Sequence, residues 1–94
     1  MLQGLTGVVM PKAIVVTVFD RAAGVFAAPV TMAARGVAVR SFIDQVNDPS
    51  SHMHKHPTDF ELHSLGVYDD ETGRFDQASA ELLSRGEDVI VKEK

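Results

Sequence analysis

A chain of 94 residues with a formal net charge of −4 has the size of one ordinary domain, about 100–150 residues, and lacks the global basic footprint usual in nucleic-acid binders. Having no cysteine, it can hold neither a disulfide framework nor a thiolate metal site. Hydrophobic residues at 45% and charged residues at 23% give the balance of a folded chain rather than a disordered one, and no apolar run approaches the roughly 20 residues of a membrane-spanning helix.

Met1 to Val9 lack a basic region ahead of their apolar residues, so they do not read as a signal peptide. Met10-Pro11-Lys12 reads as the natural start, with residues 1–9 an upstream extension or tag remnant. An extra N-terminal strand is the alternative. Residues 10–94 are then expected to form a single α+β domain. Ala13 to Phe19 is rich in β-branched residues and predicts a buried strand. Asp20 to Gly24 predicts a turn, with Gly24 in the left-handed conformation. Phe26, Ala28, Val30 and Met32 alternate and predict a second strand with those four on one face. Pro29 would place that strand at an edge or give it a bulge.

Val39, Phe42, Ile43 and Val46 follow the i, i+3, i+4, i+7 spacing of one helical stripe, predicting a helix over 36–46. Asn47-Asp48-Pro49 would end it. Residues 49–57 read as a polar loop. Phe60, Leu62, Leu65 and Val67 change parity midway, which predicts a strand with a β-bulge near Ser64 or Gly66. Asp69 to Gly73 predicts a turn, followed by a short strand over 74–76. Ser79 is placed to cap a short helix over 80–85 that Gly86 stops, and Val89-Ile90-Val91 suggests a last strand.

A weak repeat links the two turns. Phe19-Asp20-x-x-x-Gly24-x-Phe26 matches Tyr68-Asp69-x-x-x-Gly73-x-Phe75. Either one turn type selects the same residues twice, or a ββα unit is used twice. Both readings give a small antiparallel sheet of two β-hairpins, with one main helix and a short second helix on one face.

Candidate chemistry is sparse. His52, His54, His56 and His63 offer imidazoles, but three of them fall in the polar loop without the ligand spacing of a zinc site. They read as solvated, and no metal or cofactor is expected. Asp69, Asp70 and Glu71 suit a turn better than acid–base work, which needs a shifted pKa in a cleft. There is no Gly-x-Ser-x-Gly elbow and no phosphate-binding loop, so an enzyme is not expected. Single-strand nucleic-acid binding remains. Phe19, Phe26, Phe60, Tyr68 and Phe75 would then be base-stacking platforms, and Arg21, Arg35, Arg40 and Arg74 the basic groups. Arg21 and Arg74, in the matched turns, would form one basic ridge. The competing reading assigns those aromatics to the core.

Four segments carry a resemblance. They are Phe19-Asp20-Arg21-Ala22-Ala23, then Ala38-x-Arg40-Ser41-Phe42-x-Asp44-x-Val46-Asn47, then Lys55-His56-Pro57-x-Asp59-Phe60-x-Leu62-x-x-Leu65-Gly66, and Tyr68-Asp69-Asp70-x-Thr72-Gly73. In this order they resemble the small non-structural protein of gokushovirus-like microviruses, tailless single-stranded DNA phages, over about residues 10–91. Asp20, Arg40, Phe42, Asp44, His56, Pro57, Asp59, Asp69 and Gly73 stand at its motif positions. The resemblance implies a non-structural protein in the host bacterial cytoplasm, acting in viral genome replication or packaging. It implies contact with a replication protein, a capsid protein or single-stranded DNA. Because a chain this short buries a modest fraction of its surface, a homo-oligomer is expected as well. Two functions follow: an oligomeric accessory protein working through protein contacts, or a sequence-tolerant single-stranded DNA binder. The second needs Arg21, Arg35, Arg40 and Arg74, or a subset, on one face.

Overall fold

The computed structural model describes residues 12–91, so the reading of residues 1–9 lies outside the described residues. Strand β1, Lys12–Asp20, is the predicted buried strand. Its neighbour β4, Phe60–Asp69, runs antiparallel to it, with Asp20 opposite Phe60 and Lys12 opposite Asp69. Ser64 faces Val16 and Gly66 faces Val15, which leaves Leu65 as the extra residue of a bulge. The bulge therefore lies where the parity change in the sequence puts it.

On the other side of β1 lie two short strands, β2 (Val25–Phe26) and β3 (Val30–Met32). They replace the single predicted strand, and they do not keep one face. Phe26 stands opposite Phe19 and Val30 opposite Val16, so four residues span what β1 spans in three. Proline has no N–H for the ladder, and the slip falls at Ala27-Ala28-Pro29. Phe26 consequently faces away from Val30 and Met32. The buried hydroxyl of Thr17 donates to the carbonyl of Ala27 at 2.6 Å, satisfying the irregular segment.

Strand β5, Arg74–Arg85, pairs with the whole of β4. The predicted short strand over 74–76 is only its beginning, and the predicted helix over 80–85 does not form. β4 offers unpaired backbone groups along its full length, and pairing with them outweighs the weak intrinsic stability of one short helix. Two register shifts in this pair, either side of His63-Ser64, absorb the surplus residues of β5.

Helix α1, Arg35–Val46, covers one face of the sheet with Ala38, Phe42 and Val46 buried. The predicted stripe is rotated slightly, with Val39 packing at its margin. Two four-residue helices complete the layer. Helix α2, His52–Lys55, sits inside the predicted polar loop and is capped by Ser51, whose hydroxyl accepts from the Met53 N–H at 3.1 Å. Helix α3, Gly86–Val89, ends on the first residue of the predicted last strand, which does not form: the Val89 carbonyl and the Val91 N–H bond to Asn47 instead of to a neighbouring strand. A 3₁₀ turn at Pro57–Asp59 leads into β4. A Cβ at Gly86 would run into the carbonyl of Pro57, so glycine lets these two turns touch.

The core lies between α1 and the sheet: Ile14, Val16, Ala38, Phe42, Val46, Phe60 and Leu62. The sequence reading that placed all its candidate aromatics in the core is corrected here. Of that set only Phe60 is buried, while Phe26 and Phe75 are about half exposed. Parity is the reason, since Phe19 and Phe26 point away from α1.

Asn47, just past α1, fastens the C-terminal turn. Its amide donates to the carbonyls of Ile43 and Val89 at 3.0 and 3.1 Å, and its Oδ1 accepts from the Val91 N–H at 2.7 Å. Asn47→Ala removes all three bonds, and buried or half-buried bonds are worth about 1 kcal/mol each. The expected result is a loss of about 2 kcal/mol in urea unfolding, with faster amide exchange confined to residues 86–91. Uniform exchange changes across the chain would contradict this stapling role.

Candidate protein-interaction face

Pleating sends even-numbered residues of β1 towards α1 and odd-numbered ones to the opposite face. That opposite face has no helix over it among the described residues. Phe19 meets Phe26 across the first hairpin with ring centroids 4.5 Å apart. Tyr68 stands opposite Phe75 across the second, and opposite Ala13 on β1. Both aromatic pairs therefore lie on this face. Phe26 is 51% exposed and Phe75 47%. Val15, Pro29 and Thr31 line a shallow apolar groove with Tyr68 and Phe75, and Leu82 of β5 stands opposite His63.

The two turns share one chemistry. Asp20 Oδ1 accepts from the N–H groups of Ala22 and Ala23 at 3.0 and 3.2 Å, and Gly24 sits at φ 73°. Asp69 Oδ1 accepts from those of Glu71 and Thr72 at 2.9 and 3.4 Å, with Gly73 at φ 77°. The aspartate and glycine of the repeat are thus explained by turn geometry. The aromatic and phenylalanine that flank them become a cross-strand pair each time.

At one end of the face a small polar cluster interrupts the apolar surface. His63 Nε2 lies 3.1 Å from Glu61 Oε1, and both side chains are largely buried. Arg21 and Arg85 approach Glu61 Oε2 at 4.0 and 3.8 Å. The His63 ring stands edge-on to Phe19 and Phe26. Glu61 and Arg85 were not singled out from sequence, and His63 only as one of four imidazoles, because only the pairing of β4 with β5 brings the three together.

The four candidate arginines do not converge. Arg21 leaves the first turn, where its guanidinium also donates to the Thr58 carbonyl at 3.3 Å. Arg74 begins β5 opposite Asp69, beside the second turn. Those turns lie at opposite ends of β1, eight residues apart or about 27 Å. The expected ridge joining Arg21 and Arg74 therefore does not exist, because antiparallel pairing of β1 with β4 sends the two hairpin tips in opposite directions. Arg35 pairs with Glu81 at 2.8 Å, which lowers the carboxyl's pKa and raises the guanidinium's. Arg40 projects from the exposed side of α1.

The remaining motif positions are spread over the fold. Phe42 is at the centre of the core, and Asp44 is exposed on α1. His56 precedes the 3₁₀ turn that Pro57 opens. Asp59 closes that turn, and its carbonyl accepts the Arg21 N–H at 2.7 Å. The rings of His52 and His56 are 5.2 Å apart, while His54 Nδ1 lies 3.0 Å from the Val46 carbonyl. Among the described residues no group of three or more histidine or acidic side chains is arranged to hold a metal ion, and no helix is long and apolar enough to cross a membrane.

No curated protein and no solved structure matches the chain. Residues 13–89, however, match the family model described as Phage ORF5 protein. That span begins in β1, ends with α3 and includes both aromatic hairpins. The chain belongs to the phage ORF5 protein family.

Proposed function

We propose that this phage protein is a non-enzymatic accessory protein of gokushovirus-like microviruses. In this reading it works inside the infected cell, in viral genome replication or packaging, through contacts with other proteins. The observation that carries the reading is the uncovered sheet face. Two aromatic pairs and Leu82 hold apolar surface in solvent there, and contiguous exposed apolar surface marks an interaction site. The resemblance in sequence supplies the phage type, the process and the candidate partners, a replication or capsid protein.

Exposed aromatics also favour a second reading, single-stranded DNA binding by stacking. The charges weigh against it. Arg21 and Arg85 share Glu61, Arg35 is held by Glu81, and Arg74 stands about 27 Å from Arg21. A strand of DNA would meet no continuous basic track.

An anisotropy titration with a labelled ~30-mer of single-stranded DNA decides between the two. Little binding is expected even at low salt. Tight binding that weakens steeply with salt, and that Arg21→Ala with Arg85→Ala abolishes, would favour the DNA reading and sink the first. Co-expression with the phage's replication and capsid proteins is expected to yield a stoichiometric complex with one of them.

A further inference from the structure

We infer that the helix-free sheet face is covered by a second copy of this chain, packed sheet on sheet about a two-fold axis that lies in the interface, perpendicular to the line joining its two aromatic pairs and so oblique to the strands. This names a partner for the face on which the proposed protein-contact reading rests.

The face is self-complementary under that operation. The Phe19–Phe26 pair lies at one end, and the Tyr68–Phe75 pair, opposite Ala13, near the other. They are six residues apart along β1, about 20 Å. The pairs also lie towards opposite edges of the sheet, one on β2–β1 and the other on β4–β5, so a two-fold axis perpendicular to the diagonal between them exchanges the two. Each Phe19–Phe26 pair of one copy then meets the Tyr68–Phe75 pair of the other, and the grooves of Val15 and Thr31 meet at the centre. An axis straight across the strands would leave the two pairs about two strand spacings, or about 10 Å, apart.

Charge follows the same exchange. Arg21 and Arg85 lie at the Phe19–Phe26 end. The acidic tip, Asp70 and Glu71, lies beyond Tyr68. Neither acid has an ion-pair partner among the described residues. The proposed axis brings Arg21 of each copy towards the acidic tip of the other. A closed two-fold interface of this kind leaves no free copy of the patch to build filaments.

The extent suits a dimer. The ten-residue strand β4 is about 34 Å long, and four strands side by side are about 19 Å wide. The footprint is on the order of 650 Å², and side chains raise the accessible area above the footprint. A standard interface buries about 800 Å² per partner. Stacked sheets pack about 10 Å apart, which the half-exposed Phe26 and Phe75 rings can fill.

Sedimentation analysis of the full chain tests this directly. The expected mass is twice the 10.2 kDa of the single chain. The double variant Phe26→Ser, Phe75→Ser is expected to sediment as a monomer with an unchanged far-ultraviolet spectrum. Because the chain has no cysteine, disulfide trapping reads the geometry even if that variant fails to fold. Under mild oxidation, Phe26→Cys mixed with Phe75→Cys should form a linked dimer, and either variant alone should not. A monomeric parent chain would overturn the inference. So would a dimer indifferent to the serine substitutions, or one in which Phe26→Cys links to itself as readily as to Phe75→Cys. A monomer that still fails to bind single-stranded DNA would defeat the second copy while leaving the protein-contact reading intact.

Discussion

Phe42→Ala is expected to cost about 4 kcal/mol of folding stability, within the 3–5 kcal/mol typical of a buried phenylalanine truncated to alanine. Phe42 is 3% exposed and central to the core cluster of the described residues, between α1 and the β1–β4 pair. Its neighbours cannot collapse into the space, because α1 is pinned at its end by Val46, which is wholly buried. A chain of this length has roughly 5–14 kcal/mol of stability in all, so the loss removes a large share. In urea, with a slope of about 1–3 kcal/mol per molar, the midpoint should fall by about 1.3–4 M. A shift below about 0.5 M would mean that the helix does not seat on the sheet as described.

Gly66→Ala is expected to be nearly as damaging, by about 3 kcal/mol, through a different cause. Gly66 has φ 152°, a conformation that L side chains rarely adopt. A Cβ there would also run into the carbonyl of Asp76 and lie 2.9 Å from Cε1 of Phe75. The first obstacle is backbone of the paired strand, which can yield only by breaking the β4–β5 ladder. The second is one of the exposed aromatics, so the substitution should disturb the interaction face as well. Gly24→Ala is the control. It too sits at positive φ, but nothing lies within 4 Å of its Cβ, and the strain alone is worth about 1–2 kcal/mol. Urea unfolding of both variants separates the causes. Equal losses would show that conformation alone, and not the close strand contact, fixes glycine at position 66.

These two positions differ in how far the sequence reveals them. Phe42 is legible, because helical spacing in the sequence puts it on a buried stripe with Val46. The need for an irregularity near Gly66 is also legible, from the parity change in Phe60–Val67. What crowds Gly66 is not, since Asp76 and Phe75 reach it only through the pairing of β5. The candidate site divides in the same way. The repeat of aromatic, aspartate, glycine and phenylalanine announces two matched hairpins, but not that both aromatic pairs share the uncovered face. The Glu61–His63 cluster with Arg21 and Arg85 has no local signature at all.

The first strand, the main helix, both turns and the bulge are legible in the sequence, as are the segments that carry the family resemblance. Each of these depends on residues close together in the chain, where spacing and turn chemistry suffice. Tertiary structure decided the rest. The long edge of β4 turned residues 80–85 into strand against their local capping signals. The lack of an N–H on Pro29 broke one strand into two and reversed the face of Phe26. Antiparallel pairing of β1 with β4 set Arg21 and Arg74 at opposite ends. Backbone partners and register are properties of the assembled sheet, and they outweigh local preferences that favour one conformation by only a few tenths of a kcal/mol per residue.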